Sequence, residues 1–229
     1  MSTNTAISKL PPMTPTMRAG IIGISGSGKG NCAKAYLARE QRRIPRIVVF
    51  DAHDEYSTLG KERPGFIHLG TMTARATAAD FLSDPGRFLD RKKVALSVVP
   101  SANQDVAAEQ CATFCELLMS TGDFLVVFDE MGGYAFNAKR AHLAETAIDT
   151  LACEGRKEGL SCLFVSQRLM HFSKSAREQV NALEIFCQQD PDDLRQLVKR
   201  TGNKSLIDTV PQQGPGVSTL WVSPMLKAA

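Results

Sequence analysis

The stretch Gly23-Ile24-Ser25-Gly26-Ser27-Gly28-Lys29-Gly30 holds residue types that bind phosphate through the backbone: spaced glycines, small hydroxyl residues and a lysine directly after the third glycine. A loop of this kind between a strand and a helix turns its N–H groups and the helix N-terminus toward an anion, while the lysine reaches the outer phosphates of a nucleotide. Gly23, Ser25, Gly26, Ser27, Gly28, Lys29, Gly30 and Asn31 are therefore the expected nucleotide contacts. The pattern usually continues with Ser or Thr, whose hydroxyl ligates Mg2+; here the residue is Gly30. Either another oxygen, from Ser27, Asn31, Asp129 or water, completes the metal shell, or the loop binds ATP and hydrolyses it slowly.

A second group of chemical residues closes the apolar run Phe124-Leu125-Val126-Val127-Phe128-Asp129-Glu130. Burying two acids beside such a run is costly unless they have partners or work. Asp129 is suited to the Mg2+ shell and Glu130 to orienting the water that attacks a γ-phosphate. The run Ser161 to Gln167 ends in Ser166 and Gln167, and the Gln167 amide can bond the γ-phosphate or the attacking water. Arg156, within Cys153 to Gly159, has two readings: a cation favoured at a helix C-terminus, or a guanidinium offered to the nucleotide of an adjacent subunit.

These residues need a frame to position them. Ala19 to Ile24 reads as a strand and Asn31 to Gln41 as a helix ending before Pro45, so the glycine loop has the strand–turn–helix context it requires. Further strands are expected at Arg46 to Asp51, Gly65 to Leu69, Val94 to Val99, Phe124 to Glu130, Ser161 to Gln167, Leu183 to Cys187 and Val217 to Val222. Helices are expected at Thr77 to Phe81, Gln104 to Ser120, Arg140 to Glu158, Ala176 to Asn181 and Pro191 to Arg200. This alternation implies an α/β fold, a mainly parallel sheet with helices on both faces and ligands at the C-terminal strand ends. The 229 residues suit a single domain over 18–229, with 1–17 as an extended or mobile arm containing Pro11, Pro12 and Pro15.

A net charge of +3 neither demands nor excludes a nucleic-acid partner. Six cysteines without CxxC spacing read as reduced thiols of a cytosolic protein. No apolar run approaches membrane-spanning length, and the first residues do not resemble a secretion signal, so a soluble, non-secreted protein with no membrane span is expected.

Four stretches together resemble the HerA/FtsK branch of P-loop ATPases, most of all the genome-packaging ATPases of membrane-containing, tailless double-stranded DNA viruses. They are the glycine loop; Val48 to Tyr56, similar to that branch's Asp-x-His-x-Glu-Tyr segment; Asp129-Glu130; and Gly155 to Gly159 followed by Val165-Ser166-Gln167-Arg168. The resemblance implies a RecA-like (ASCE) core assembled into a homo-oligomeric ring, usually a hexamer, with ATP and Mg2+ between subunits and double-stranded DNA in the centre. By the same resemblance Lys29 binds phosphate, Glu130 activates water, Gln167 senses the γ-phosphate and Arg156 reaches across the interface. Capsid or portal-vertex proteins would be partners, and the host cytoplasm and the virion the locations. Asp51, His53 and Glu55 have either a role near the nucleotide or interface or none beyond a solvated loop. Sequence-independent DNA contacts are expected among Lys139 and Arg140, Lys61 and Arg63, Arg39, Arg42, Arg43 and Arg46, or Arg87, Arg91, Lys92 and Lys93. The competing functions are a small-molecule P-loop kinase and a nucleotide-gated assembly protein with weak hydrolysis.

Overall fold

The computed structural model describes residues 8–15, 17–56 and 74–227; the strand expected at Gly65 to Leu69 and the basic pair Lys61 and Arg63 lie outside them. In chain order the elements are β1 (Arg18–Ile22), α1 (Lys29–Glu40), β2 (Arg46–Asp51), β3 (Ala74–Thr77), α2 (Ala78–Ser83), α3 (Gly86–Leu89), β4 (Val94–Val99), α4 (Gln104–Thr121) and β5 (Leu125–Asp129). They continue with α5 (Ala141–Glu154), β6 (Ser161–Ser166), α6 (Lys174–Gln179), β7 (Ala182–Ile185), α7 (Pro191–Thr201), α8 (Leu206–Thr209), β8 (Thr219–Val222) and α9 (Pro224–Lys227). The short β3 was not expected, because Ala-Arg-Ala-Thr offers no apolar run; at the sheet edge it pairs with β4 alone.

The strands form one sheet in the order β3-β4-β2-β5-β6-β1-β7-β8. Its described neighbours pair in parallel, except β7 with β8. Burial on both faces explains why the central strands read as unbroken apolar runs. Side chains alternate between faces, as a pleat requires. Val48, Phe50, Val126, Phe128 and Phe164 meet α4 and α5, where Phe50–Phe114, Phe114–Phe128, Phe128–Phe164 and Phe164–Phe172 rings pack at 5.2, 6.3, 5.7 and 5.5 Å. Ile47, Val49, Leu125, Val127, Leu163 and Val165 face the other way, toward Tyr36 and Leu37 of α1.

That second face has one long helix, and the N-terminal segment covers much of the rest. Leu10, Met13 and Met17 are buried there. The arm expected over 1–17, extended or mobile, is in residues 8–15 and Met17 a strap packed on the sheet. Prolines exclude a helix but not burial, and each fully buried Leu or Met side chain contributes about 1.5–3 kcal/mol. Ser8 Oγ and Lys9 N donate to Glu184 Oε2 at 2.7 and 3.0 Å, and Tyr36 Oη donates to the Pro11 carbonyl at 3.1 Å. Glu184, fully buried in β7, also accepts Ser218 Oγ at 2.8 Å, so one carboxylate joins the strap to the loop before β8.

Candidate nucleotide site

The glycine loop leaves β1 at the C-terminal edge of the sheet and enters α1 at Lys29. Gly28 forms the helix N-cap at φ +103° and Gly26 sits at φ +76°, conformations that side-chain-bearing residues rarely adopt. Gly23 is required for space: a Cβ there would fall 2.5 Å from Ser27 Oγ and 2.6 Å from Phe186 Cβ. Ser25, Gly26 and Asn31 are exposed at the rim. Ser27 instead turns its buried hydroxyl toward Gly23, and among the described residues that hydroxyl has no hydrogen-bond partner. The loop is braced from outside by Gly216 N, in the loop before β8, which donates to the Ser27 carbonyl at 2.9 Å, a contact with no signal in the sequence.

Strand order decides which other residues meet this loop. β6 lies between β1 and β5, and β2 adjoins β5, so Asp51, Asp129 and Ser166 share one sheet edge, with Asp51 directly opposite Asp129. Glu130 leaves β5 at φ +46°, a left-handed conformation that costs a non-glycine residue of order 1 kcal/mol or more. Its carboxylate lies 3.7 Å from Lys29 Nζ through Oε2, both side chains being largely buried. The two residues with the strongest sequence case for handling phosphate and water are therefore paired.

Asp129 lies behind them. Its carboxyl is pushed up to about 7 by burial, and then by the negative charges of Asp51, Glu130 and Glu55, while a hydrogen bond from Tyr56 opposes the shift. Tyr56 Oη donates to Asp129 Oδ1 at 3.2 Å. Asp51 places that tyrosine: fully buried, it accepts Glu55 N and Tyr56 N at 2.9 Å each and Ser97 Oγ at 2.7 Å, closing the turn after β2. Asp51 is thus a turn-former, and Tyr56 is the residue whose role in holding Asp129 went unseen in sequence. Glu55 comes to the nucleotide side: a Cβ at position 30 would lie 3.6 Å from its Oε2, and Lys34 Nζ approaches the same oxygen at 3.2 Å.

Gln167 follows β6 at the same edge, half-buried, its carbonyl accepting Gln188 Nε2 at 2.7 Å. Arg168 is held to Asp193 and Asp190 at 2.7 and 2.9 Å, at the start of α7. Arg156 stands apart. It is exposed in the turn between α5 and β6, at the N-terminal end of a six-residue strand, so it lies about 20 Å along the sheet from its own glycine loop.

The basic candidates divide by place. Arg39 is engaged by Glu40 and the Leu10 carbonyl, and Arg46 by the carbonyls of Gly122 and Leu89 with its guanidinium 4.0 Å from the Phe124 ring centre. Arg140 pairs with Glu109. Lys139 is exposed in the loop after β5, beside exposed Phe136 and Asn137, at the site edge. Arg43, Arg91 and Lys92 line a cavity of about 700 Å³ at the opposite edge.

Residues 15–101 match the family model described as Helicase HerA, central domain. No curated protein matches the sequence. Among solved structures, the genome-packaging NTPase B204 of Sulfolobus turreted icosahedral virus 2 with ATPγS aligns over 93% of this chain and 95% of its own, at TM-score 0.64 and 19% identity. EccC of Thermomonospora curvata (ATPases 2 and 3, with a signal sequence peptide) aligns over 90% of this chain and 37% of its own, at TM-score 0.54 and 13% identity. The pCW3 conjugation coupling protein TcpA with ATPγS gives 90% and 60%, TM-score 0.52 and 11% identity. Among the described residues, no helix is long and apolar enough to cross a membrane.

Proposed function

We propose that this chain, a P-loop ATPase of the HerA/FtsK type in its fold, is an ATP-hydrolysing motor that moves double-stranded DNA, and that its cargo is a viral genome entering a capsid. The approach of Lys29 to Glu130 carries the hydrolytic part, because it pairs a phosphate-binding ammonium with a carboxylate able to take a proton from water. The match of almost the whole chain to almost the whole of a packaging NTPase supports the cargo; EccC and TcpA share the fold within longer chains.

In this reading the backbone N–H groups of Ser25, Gly26 and Gly28 to Gly30 bind the phosphates of ATP, those of Gly23, Ile24 and Ser27 already donating to carbonyls within the fold. Lys29 binds the β and γ phosphates, Glu130 orients the attacking water, and Gln167 bonds the γ-phosphate from the end of β6. Arg156 is too far along the sheet to reach its own site, so it serves the nucleotide of a neighbour in a ring, which we assign as a hexamer. The residues fit Mg2+: Asp129, a crowded buried carboxyl, gains most from a nearby cation and would hold it, with Glu55 beside Gly30 available to a bound water. Bound there, Mg2+ would neutralise charge on the β and γ phosphates. Lys139 offers a cation to the DNA backbone at the same edge as the site. Capsid or vertex proteins are the remaining partners, and the infected cytoplasm and the particle the places of action.

The test is ATP turnover with and without double-stranded DNA. DNA should raise the rate, and Lys29→Ala and Glu130→Gln should each abolish it. Turnover at the parental rate in both variants would refute the assignment. Phosphate transfer to a nucleoside or sugar instead of water would favour the kinase, and tight ATP binding without turnover at saturating Mg2+ the assembly protein.

A further inference from the structure

Glu130 is held from two sides. Oε2 faces Lys29 Nζ at 3.7 Å, and Oε1 faces His171 Nδ1 at 4.0 Å. The imidazole sits in a turn that follows β6, and three features seat it. Ser166 Oγ, fully buried at the end of β6, lies 3.2 Å from Nδ1, with the donor set by the ring tautomer. Gly132 leaves the space the ring occupies: a Cβ there would fall 2.7 Å from Nδ1 and 2.8 Å from Cε1. Phe136 packs on the ring at 5.4 Å between centroids. An imidazole without a task would not need a glycine two residues past the acid to admit it.

We propose that His171 is a positioning residue that holds Glu130 in its catalytic orientation once a phosphate engages Lys29. The inference rests on the hydrolytic reading above. Lys29 cannot pair with Glu130 and bind the γ-phosphate at full strength simultaneously, so phosphate binding loosens one of the two grips on the carboxylate. Glu130 is also in a left-handed backbone conformation, which gives it no intrinsic preference for staying where it is. Nδ1–H donating to Oε1, after a closure of roughly 1 Å to hydrogen-bond distance, keeps Oε2 free and directed at water. Ser166 sets the imidazole's height along β6, and Gly132 and Phe136 fix its plane. His171 touches neither substrate nor water in this scheme.

Turnover and a signal independent of turnover test it together. His171→Ala should lower kcat about ten-fold while leaving KM for ATP within two-fold. His171→Asn, which keeps an N–H donor near the Nδ1 position, should recover most of the loss, whereas a histidine needed only for packing would not be rescued by a smaller polar residue. Independently, NMR titration of the imidazole, identified among the chain's four histidines by its loss in His171→Ala, should show a lower pKa in Glu130→Gln than in the parent. Arg168 and Asp193, the other charges felt by the ring, are unchanged in that comparison. Unaltered kcat in His171→Ala, or a histidine signal indifferent to Glu130→Gln, would overturn the proposal while the ATPase reading stands. A parent protein that never hydrolyses ATP would overturn the reading and this proposal with it.

Discussion

Asp129→Asn should stabilise the protein while abolishing the proposed Mg2+-dependent turnover, and the gain should depend on pH in a way that identifies its source. The Asp129 carboxyl is raised from 3.8 to about 7, first by burial, then by Asp51, Glu130 and Glu55. Its folded value thus exceeds its unfolded one, so folding takes up a proton between about pH 4 and pH 7. Stability falls as pH rises through that window and levels off above it, by about 1.4 kcal/mol per unit. Asparagine has no charge to desolvate and keeps an oxygen for the Tyr56 hydroxyl, which now reaches Oδ1 at 3.2 Å. The advantage of Asn over Asp should therefore be about 3 kcal/mol larger at pH 8 than at pH 5, or roughly 5–10 °C in Tm for a chain of this size. Urea unfolding of both proteins at the two pH values, without divalent cations, measures it. Adding Mg2+ and an ATP analogue at pH 8 should stabilise the parent and not the variant. A stability difference that is the same at pH 5 and pH 8 would refute the account, because it would mean that Asp129 is not a strained carboxyl.

The remaining expectations concern other parts of the site. Gly30→Ser should tighten the half-saturating Mg2+ concentration for turnover about ten-fold, since its Cβ meets Glu55 only at 3.6 Å and its hydroxyl restores an oxygen; Gly30→Ala should gain only helix stability of about 0.5–1 kcal/mol, and a Mg2+ curve shifted equally in both would rule ligation out. Gly23→Ala should abolish nucleotide binding in equilibrium dialysis, because its Cβ collides with Ser27 Oγ and Phe186 Cβ; retained affinity would show that the loop relaxes at little cost. Arg156→Ala should reduce turnover by 10³-fold or so, and mixing it with inactive Lys29→Ala subunits should restore activity, since some interfaces then combine an intact loop with an intact arginine; no recovery on mixing would mean that Arg156 does not act between subunits.

Much of this site was legible because it is written in local patterns. A glycine loop between a strand and a helix, and an apolar strand closed by two acids, each dictate their own geometry within ten residues, and the sheet edge then brings them together. Residues joined only by the tertiary fold were not legible. Tyr56 was visible beside Glu55, yet nothing in its neighbourhood points to Asp129, and His171 carries no pattern linking it to Glu130. The strap over residues 8–15 was read as an arm because its prolines dominate the local signal; the wide apolar face needing Leu10 and Met13 is assembled from strands far along the chain. Ser27, offered by spacing as a metal oxygen, turns under the loop because Gly23 leaves room for it there.

The position of β1 has a consequence for biosynthesis. Both strands that flank it, β6 (Ser161–Ser166) and β7 (Ala182–Ile185), follow it far along the chain, and the Gly216 contact that braces the glycine loop is later still. A nascent chain would thus carry the glycine loop long before the strands that shape it, and late, long-range parallel pairing is the slow part of folding. The loop would take its final shape only after residues through Gly216 had been made. A product terminated before β6 would retain the glycine loop and Asp129-Glu130 without the strands that bring them together.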